Sequence, residues 1–462
     1  MLGEILHNLR GWSEIDSAVA LTAAMAAMSC ALPGVWLVLR RHSMLGDALA
    51  HAALPGVVAA FLAAYGLRNA GWVPAERFDA VLQTAITLGA VGAGLLTAWL
   101  TEAIQRIGRI DSGAALGVVF TCLFAVGLVM IRMTADDVHI DPDCVLFGIL
   151  EASVLDTINP RSWIPVAAVT NGAVLLANLA LTLLFFKELR LAAFDPAQAR
   201  TQGIPAGALH YLLLAATTVA AATAFSTVGS ILVIGLLIVP AATAQLLTDR
   251  LWMVLVVSLM AAAAAAVLGQ ALAISVPGPV FSRLGLPEVR DAGTAGSIAV
   301  ASGLLFAGAV FFGPRKGLVS QALDRLRVGQ AMAADHLLGA AYREEEDLER
   351  SGRRRPSRLR ERWIERLAGW RLMRRGWLIR ESSGRLRLTD AGREHARTLV
   401  RSHRLWETWL NRNFPLPPDQ LHLAADRAEH VLDPSLNEAL AADLPRSDRD
   451  PHGRKIPGPP ES

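Results

Sequence analysis

Residues 38–56 read VLRRHSMLGDALAHAALPG, and within them Asp47 and His51 stand four apart. On a helix that spacing places both on one face. A carboxylate and an imidazole so arranged can bind a divalent transition cation together. The surroundings matter as much as the spacing. An ionisable side chain in an apolar segment is costly unless it faces a cavity or a partner. Spacing alone leaves a second account open, in which Asp47 caps a helix start at the interface and His51 hydrogen-bonds a neighbouring span.

A second group lies far downstream. Six of the eleven histidines follow residue 316: His336, His395, His403, His422, His430 and His452. His403 and Glu407 are at i, i+4. His422, Asp426, Glu429 and His430 fall at i, i+4, i+7 and i+8 and can line one helical stripe. Two helices presenting such stripes to each other could build one or two nitrogen/oxygen metal sites. The plainer alternative is a set of polar residues on the solvent faces of amphipathic helices.

The elements that carry these groups belong to two solvents. Hydrophobic residues make up 53% of the 462 and charged residues 18%, with mean hydropathy +0.38, too apolar for an ordinary soluble chain. From Ser17 to Phe312 the sequence is a series of apolar runs; from Gly313 it is rich in Arg, Glu and Asp. A helical span needs about 20 apolar residues, and the runs at 17–39, 52–66, 84–104, 113–132, 163–186, 209–225, 228–248, 251–275 and 295–313 give eight or nine. Only helices satisfy the backbone in lipid without a closed barrel, so this part is an all-α bundle. Arg40, Arg41, Arg106, Arg109, Lys187, Arg190, Arg200, Arg250, Arg315 and Lys316 sit at loops that alternate to one side, which is the cytoplasm by the positive-inside rule. The acidic loop 134–143, with Asp136, Asp137, Asp141 and Asp143, then falls outside. Nine spans put the N-terminus outside, and eight put it inside. No cleaved signal is expected ahead of the first run. Three scattered cysteines, Cys30, Cys122 and Cys144, indicate neither a disulfide framework nor a zinc ribbon.

In the tail, 330–350 reads as an amphipathic helix and 359–378 as one or two helices rich in Trp and Arg. Residues 379–388 read as a β-hairpin about Ser-Gly, 389–412 as a long helix capped by Thr389 or Asp390, and 418–432 as another. The last residues read as extended. The expected fold is an all-α polytopic membrane protein of 8–9 transmembrane helices followed by a cytoplasmic winged-helix and helical metal-binding domain. The boundaries are 1–316 for the membrane domain, 317–329 for a linker, 330–457 for the metal-sensing domain and 458–462 for a short tail.

GDALAHAALPG closely resembles the GDALSHAVLPG-type signature of the metal-importing ABC permeases for zinc, manganese and iron, with Ala50 in place of the usual Ser. The similarity continues through GRIDSGAALGVVFTCLFAVGLVM (108–130), DPDCVLFGIL (141–150), KELRLAAFDPAQARTQGIP (187–205) and VGSILVIGLLIVPAATAQLL (228–247). The resemblance implies that Asp47 and His51 coordinate the transported cation. It also implies that 194–203, bounded by Phe194, Asp195-Pro196 and Gly203, is the loop that docks into an ATPase. No GxxxxGK[ST] string occurs, so ATP hydrolysis is expected from a separate ATP-binding subunit, and this chain is a non-catalytic permease. An extracytoplasmic metal-binding protein and a second permease copy or paralogue complete the expected assembly in the bacterial inner membrane, with lipid around the spans.

DHLLGAAYREEE (335–346), LRLTDAGREHARTLVRSHRLWETWL (386–410), HLAADRAEHVLD (422–433) and DPHGRKIP (450–457) resemble the metal-dependent repressors of the diphtheria-toxin-repressor and manganese-repressor family. That resemblance implies metal-ligand roles for His403, Glu407, His422, Asp426, Glu429, His430 and His336. Asp426 stands where some relatives carry Cys, and its harder oxygen favours manganese, with zinc and iron as alternatives. The family's winged helix binds DNA. Here the corresponding helix carries Trp363, Trp370 and Trp377, which point to packing against a protein surface or membrane, and DNA is the lesser expectation. A membrane-tethered, metal-dependent DNA-binding regulator is the alternative reading of the whole chain.

Overall fold

The computed structural model describes the chain except residues 1, 41–42, 75–76, 135–149, 159–162, 284, 286–290, 352–362, 382–385, 415–433, 445–448 and 460–462. It divides into two compact units, Met1–Ser320 and Gln321–Ser462.

The first unit is built of helices joined by turns, with one isolated β-bridge, Thr157 opposite Pro165, among its described residues. Its helices are α1 (Leu2–Arg10), α2 (Glu14–Leu39), α3 (Ser43–Asn69), α4 (Phe78–Gly108), α5 (Ser112–Thr134), α6 (Leu150–Ser153), α7 (Val166–Leu184), α8 (Phe186–Phe194), α9 (Pro196–Thr201), α10 (Ala206–Val228), α11 (Ser230–Leu247), α12 (Leu251–Ser275), α13 (Pro277–Arg283) and α14 (Thr294–Phe312). Among the described residues eight helices are long and apolar enough to cross a membrane, and Leu232–Leu247 is a shorter apolar helix. Every apolar run of the sequence thus has its helix. The short α1, α6, α8, α9 and α13 lie between or beside them.

The helix α2 is the most enclosed, with Leu32, Val35, Trp36 and Leu37 buried against α10, α11 and α12. Ser13 and Asp16 start it with a reciprocal capping box: Ser13 Oγ accepts from the Asp16 amide at 3.2 Å, and Asp16 Oδ2 accepts from the Ser13 amide at 2.8 Å. The other oxygen of Asp16 accepts from Gln270 Nε2, whose own oxygen accepts from Thr294 Oγ1, while the Thr294 amide donates to Glu151. That relay satisfies the polar ends of α2, α12 and α14 together, as burial demands. Inside α2, Pro33 has no N–H for the carbonyl of Ser29. The side-chain amide of Asn178, on α7, donates to that carbonyl at 3.3 Å.

Small residues let the spans meet at the backbone. A Cβ on Gly56 of α3 would stand 2.1 Å from the carbonyl oxygen of Gly89 on α4, and one on Gly89 would stand 2.3 Å from that of Gly56. Such close crossings are how helices associate in lipid, where burial of apolar surface gives little drive.

The second unit contains all but the first residues of α15 (Leu318–Ser351), with α16 (Trp363–Arg374), β1 (Leu378–Arg380), β2 (Leu386–Leu388), α17 (Asp390–Asn413) and α18 (Pro434–Asp443). The strands pair antiparallel, Leu378 opposite Leu388. Leu337, Leu338, Ala368, Leu372, Leu378, Leu388 and Ala396 form one core from α15, α16, the hairpin and α17, a winged-helix arrangement. Thr389 caps α17 by accepting from the Gly392 amide and ties back to the Gly376 carbonyl. Two segments differ from their expected form. Residues 317–329, read as linker, lie within or next to the continuous α15, because LVSQALDRLRV is built of good helix formers. The end of the chain is not wholly extended: Pro434 opens α18, a position where its missing N–H costs nothing. The helix expected at 418–432 lies outside the described residues.

Candidate cation pathway and sensor site

Asp47 and His51 occupy successive turns of α3. His51 is half-buried and sits against α5, its ring 5.4 Å from Phe124 edge-to-face and 6.4 Å from Phe120 in a stacked arrangement. Pro55, four residues on, has no N–H to give the His51 carbonyl. The wall opposite Pro55 is Gly127 of α5, where a Cβ would lie 3.0 Å from the proline ring. The α3 turn that carries the imidazole is therefore held close to α5, with part of its backbone hydrogen-bonding released. For a cation, that turn offers a nitrogen donor in an aromatic setting.

The segment expected to couple to an ATPase is built as two short helices. Asp195 caps α9, its Oδ1 accepting from the Gln198 amide at 2.9 Å, with Pro196 in the first turn. Gly203 closes the turn with φ +76°, a conformation that favours glycine. Ala192, Ala199 and Leu209 bury one side, while Phe194 stands 65% exposed at the apex. A large apolar side chain held out by a capped, pinned loop is what a docking contact requires. Sequence reasoning missed the anchor beside it. Glu102, at the end of α4, accepts from Tyr211 Oη at 3.1 Å and pairs with Arg106 at 3.2 Å, with His210 Nε2 3.7 Å away. Tyr211 and His210 lie in the first turns of α10, just past the loop. Asp249, between α11 and α12, is hydrogen-bonded to Lys316 and flanked by Arg315, which hold its carboxyl below the usual range.

In the second unit, His403 and Glu407 are buried on α17, His403 Nε2 lying 4.0 Å from Glu407 Oε2. The other oxygen of Glu407 meets His452 Nε2 at 3.0 Å. His452 had no assigned role in the sequence. It lies 45 residues from Glu407, beyond the reach of helical periodicity, and only the DPHG turn hints at it. Asp450 fixes that turn by accepting from the His452 and Arg454 amides at 3.0 and 2.7 Å. Arg404, buried one position after His403, reaches Glu346 with two nitrogens, the Lys455 carbonyl and Asp450. Arg401 donates to the Pro457 carbonyl. Burial alone would raise the Glu346 carboxyl, but hydrogen bonds and charge from Arg404, with Arg350 and Arg454 nearby, hold it below its usual range.

The structure thus brings His403, Glu407 and His452 together about one buried carboxylate. A carboxylate this deep needs cationic or hydrogen-bonding company, which the two imidazoles supply; the three are of donor types that suit a divalent transition ion but do not by themselves complete a site. His336 is on the exposed side of α15. His422, Asp426, Glu429 and His430 lie outside the described residues, as do Asp136, Asp137, Asp141 and Asp143. Among the described residues no three His, Cys, Asp or Glu side chains are grouped closely enough to hold a metal by themselves.

Comparison with known proteins follows the same division. A profile described as the ABC 3 transport family matches residues 14–281, and the spans from α2 to α12, the α3 turn and the capped loop fall within that match. The chain belongs to the ABC 3 transport family. Residues 389–458 of this ABC 3 chain match a second profile, the iron dependent repressor metal binding and dimerisation domain, which takes in α17, α18 and the Asp450 turn. The chain is 34% identical over 336 residues to the zinc transport system membrane protein TroD of Treponema pallidum, covering 72% of this chain and 84% of that one. It is 32% identical over 322 residues to the manganese transport system membrane protein MntD of Bacillus subtilis, covering 68% and 98%. Among solved structures, PsaBC from Streptococcus pneumoniae in complex with Fab is similar at 26% identity and TM-score 0.51, covering 68% of this chain and 98% of that one. This ABC 3 protein is therefore a multi-pass permease that carries a repressor-type metal-binding domain on the same chain.

Proposed function

We propose that the chain is the permease of an ATP-driven importer for a divalent transition cation, manganese in first place and zinc or iron as alternatives. Asp47 and His51 pass the cation through the first unit. The observation that carries this reading is the α3 turn: Asp47 and His51 one helical turn apart, with the His51 ring beside Phe120 and Phe124, in a family whose relatives include zinc and manganese transport proteins. The capped loop 194–203 receives a separate ATP-binding subunit, with Phe194 as its apolar contact. An extracytoplasmic binding protein delivers the ion, and two permease copies, or this chain with a paralogue, form the pathway. The test is uptake of radiolabelled manganese by vesicles containing the assembled complex. Asp47→Ala and His51→Ala each lower the rate by roughly tenfold or more, on the scale set by losing a group that holds a metal, while ATPase assembly persists. Wild-type uptake in both variants refutes the pathway.

The second unit lies on the cytoplasmic side and restrains uptake when internal metal is plentiful. Support comes from the repressor-type domain on the same chain and from Glu407 held between two histidines. When bound, the ion supplies a positive charge that draws the buried carboxylate and imidazoles together. His403, Glu407 and His452 hold it, joined by His422, Asp426, Glu429 and His430. Glu407→Gln removes that charge partner at nearly constant shape. Uptake that no longer falls as internal metal rises supports the restraint, and an unchanged fall refutes it.

A further inference from the structure

From Arg366 to Arg380 the chain reads RLAGWRLMRRGWLIR, five arginines and no acidic residue. The helix α16 splits this run by face. Ala368 and Leu372 are buried in the core of the second unit, while Leu367, Trp370, Arg371 and Arg374 stand exposed at i, i+3, i+4 and i+7. Leu367 is 43% exposed, Trp370 53% and, on the adjoining strand, Ile379 49%. Arg366, Arg375 and Arg380 flank them in the open. The Arg374 guanidinium lies over the Trp370 ring at 4.6 Å, and Arg371 donates to Gln330. The surface is therefore cationic, with large apolar side chains set among the charges.

We propose that this face of α16 and β1 binds the anionic surface of the bilayer in which the protein's own spans are embedded. Three observations select lipid over other occupants. Arginines interleaved with Trp and Leu suit an interface where the rings enter the headgroup layer and the guanidiniums meet phosphate. The second unit begins at Gln321, nine positions after the last span ends at Phe312, so the bilayer is always at high effective concentration. A helix that reads DNA presents polar side chains able to hydrogen-bond base edges, whereas Leu367 and Trp370 have no such partner there. Each arginine near an anionic surface favours association by roughly fivefold. Placing the patch at the cytoplasmic leaflet rests on the location proposed above for the second unit.

The experiment uses the full chain in nanodiscs of phosphatidylcholine alone or with 30 mol% phosphatidylglycerol, the latter an order-of-magnitude choice of roughly physiological anionic content. Modification of arginines by phenylglyoxal is followed by mass spectrometry. With anionic lipid at low salt, Arg366, Arg371, Arg374 and Arg375 react at least about threefold more slowly. The effect vanishes at high salt, and exposed Arg412 is unaffected. The variant Arg371→Gln/Arg374→Gln, altered only at exposed positions, releases the protection of Arg366 and Arg375. Equal rates in both lipids overturn the proposal. Protection by a DNA duplex in neutral discs, with none from anionic lipid, overturns it in favour of nucleic acid. Both disc faces carry the same lipid, so an error in sidedness leaves these rates unchanged. It shows separately, as labelling of the tail by an impermeant reagent outside intact cells.

Discussion

Replacing Asn178 by Leu removes the donor that stands in for the missing N–H of Pro33. In the folded chain the Ser29 carbonyl is buried, and the Asn178 amide donates to it at 3.3 Å. Leucine keeps the branched outline and is somewhat larger, so no cavity forms, and the cost that depends on Pro33 is that of an unsatisfied acceptor in an apolar setting, about 1–3 kcal/mol. The bond is long, and hydrogen bonds between membrane helices average about 0.6 kcal/mol when measured singly, which places the expected loss near the lower end, about 1 kcal/mol. The argument has a second half. In Pro33→Ala the new N–H of residue 33 reaches the same carbonyl through the α2 backbone, and the side-chain donor becomes redundant. Unfolding of the full chain in mixed micelles titrated with SDS gives the four free energies of a double-mutant cycle. Asn178→Leu should cost less in the Pro33→Ala background than alone, by about the whole of its original effect. Strict additivity of the two changes refutes the substitution of one donor for the other.

Other consequences can be measured in parallel. Gly56→Leu forces a side chain into the Gly89 carbonyl and should abolish assembly, whereas Gly66→Leu on the same helix, with nothing within 4 Å of its Cβ, should leave yield unchanged by size-exclusion chromatography. His452→Ala should weaken manganese binding to the full chain by roughly tenfold relative to wild type in isothermal titration, while His395→Ala, whose ring stacks on Trp377 at 4.3 Å, should leave it unaltered. The Glu346 carboxyl titrates below its usual range in the folded chain, so its ionised form stabilises the second unit above the unfolded value near 4.5. That contribution is lost as pH falls through the depressed folded value. Glu346→Gln should therefore flatten the acid limb of tryptophan-monitored unfolding by lowering the neutral plateau toward the acid value.

The spans were legible because lipid imposes a length and a composition that few other structures share, and each apolar run from 17–39 to 295–313 has its helix. The winged-helix elements were legible for local reasons: Leu386 and Leu388 alternate with Arg387 and Thr389 just past a Ser-Gly pair, and Thr389 is a good cap ahead of a periodic helix. The pairings were not legible. Nothing in the order of residues says that Gly56 meets Gly89, that Asn178 serves Ser29, or that Glu102 holds Tyr211 from 109 positions away. His452 escaped for the same reason. Helical spacing linked His403 to Glu407, but the third member arrives on a turn whose placement depends on Arg404 gripping Asp450 and the Lys455 carbonyl. The 434–443 segment was obscured by its Pro and Asp, which signal loops in general and a helix start in this instance.

The Gly56–Gly89 crossing has a mechanical corollary. Where two rods touch through hydrogen atoms alone, no tooth is seated in a notch, and a small glide along the seam leaves every rotamer as it was. The α3 rod bears His51 five residues from that seam. A permease must expose its ion to one side and then the other, and friction between neighbouring rods limits how fast it can do so. At this joint the chain has a smooth bearing directly beneath the residue proposed to meet the cargo.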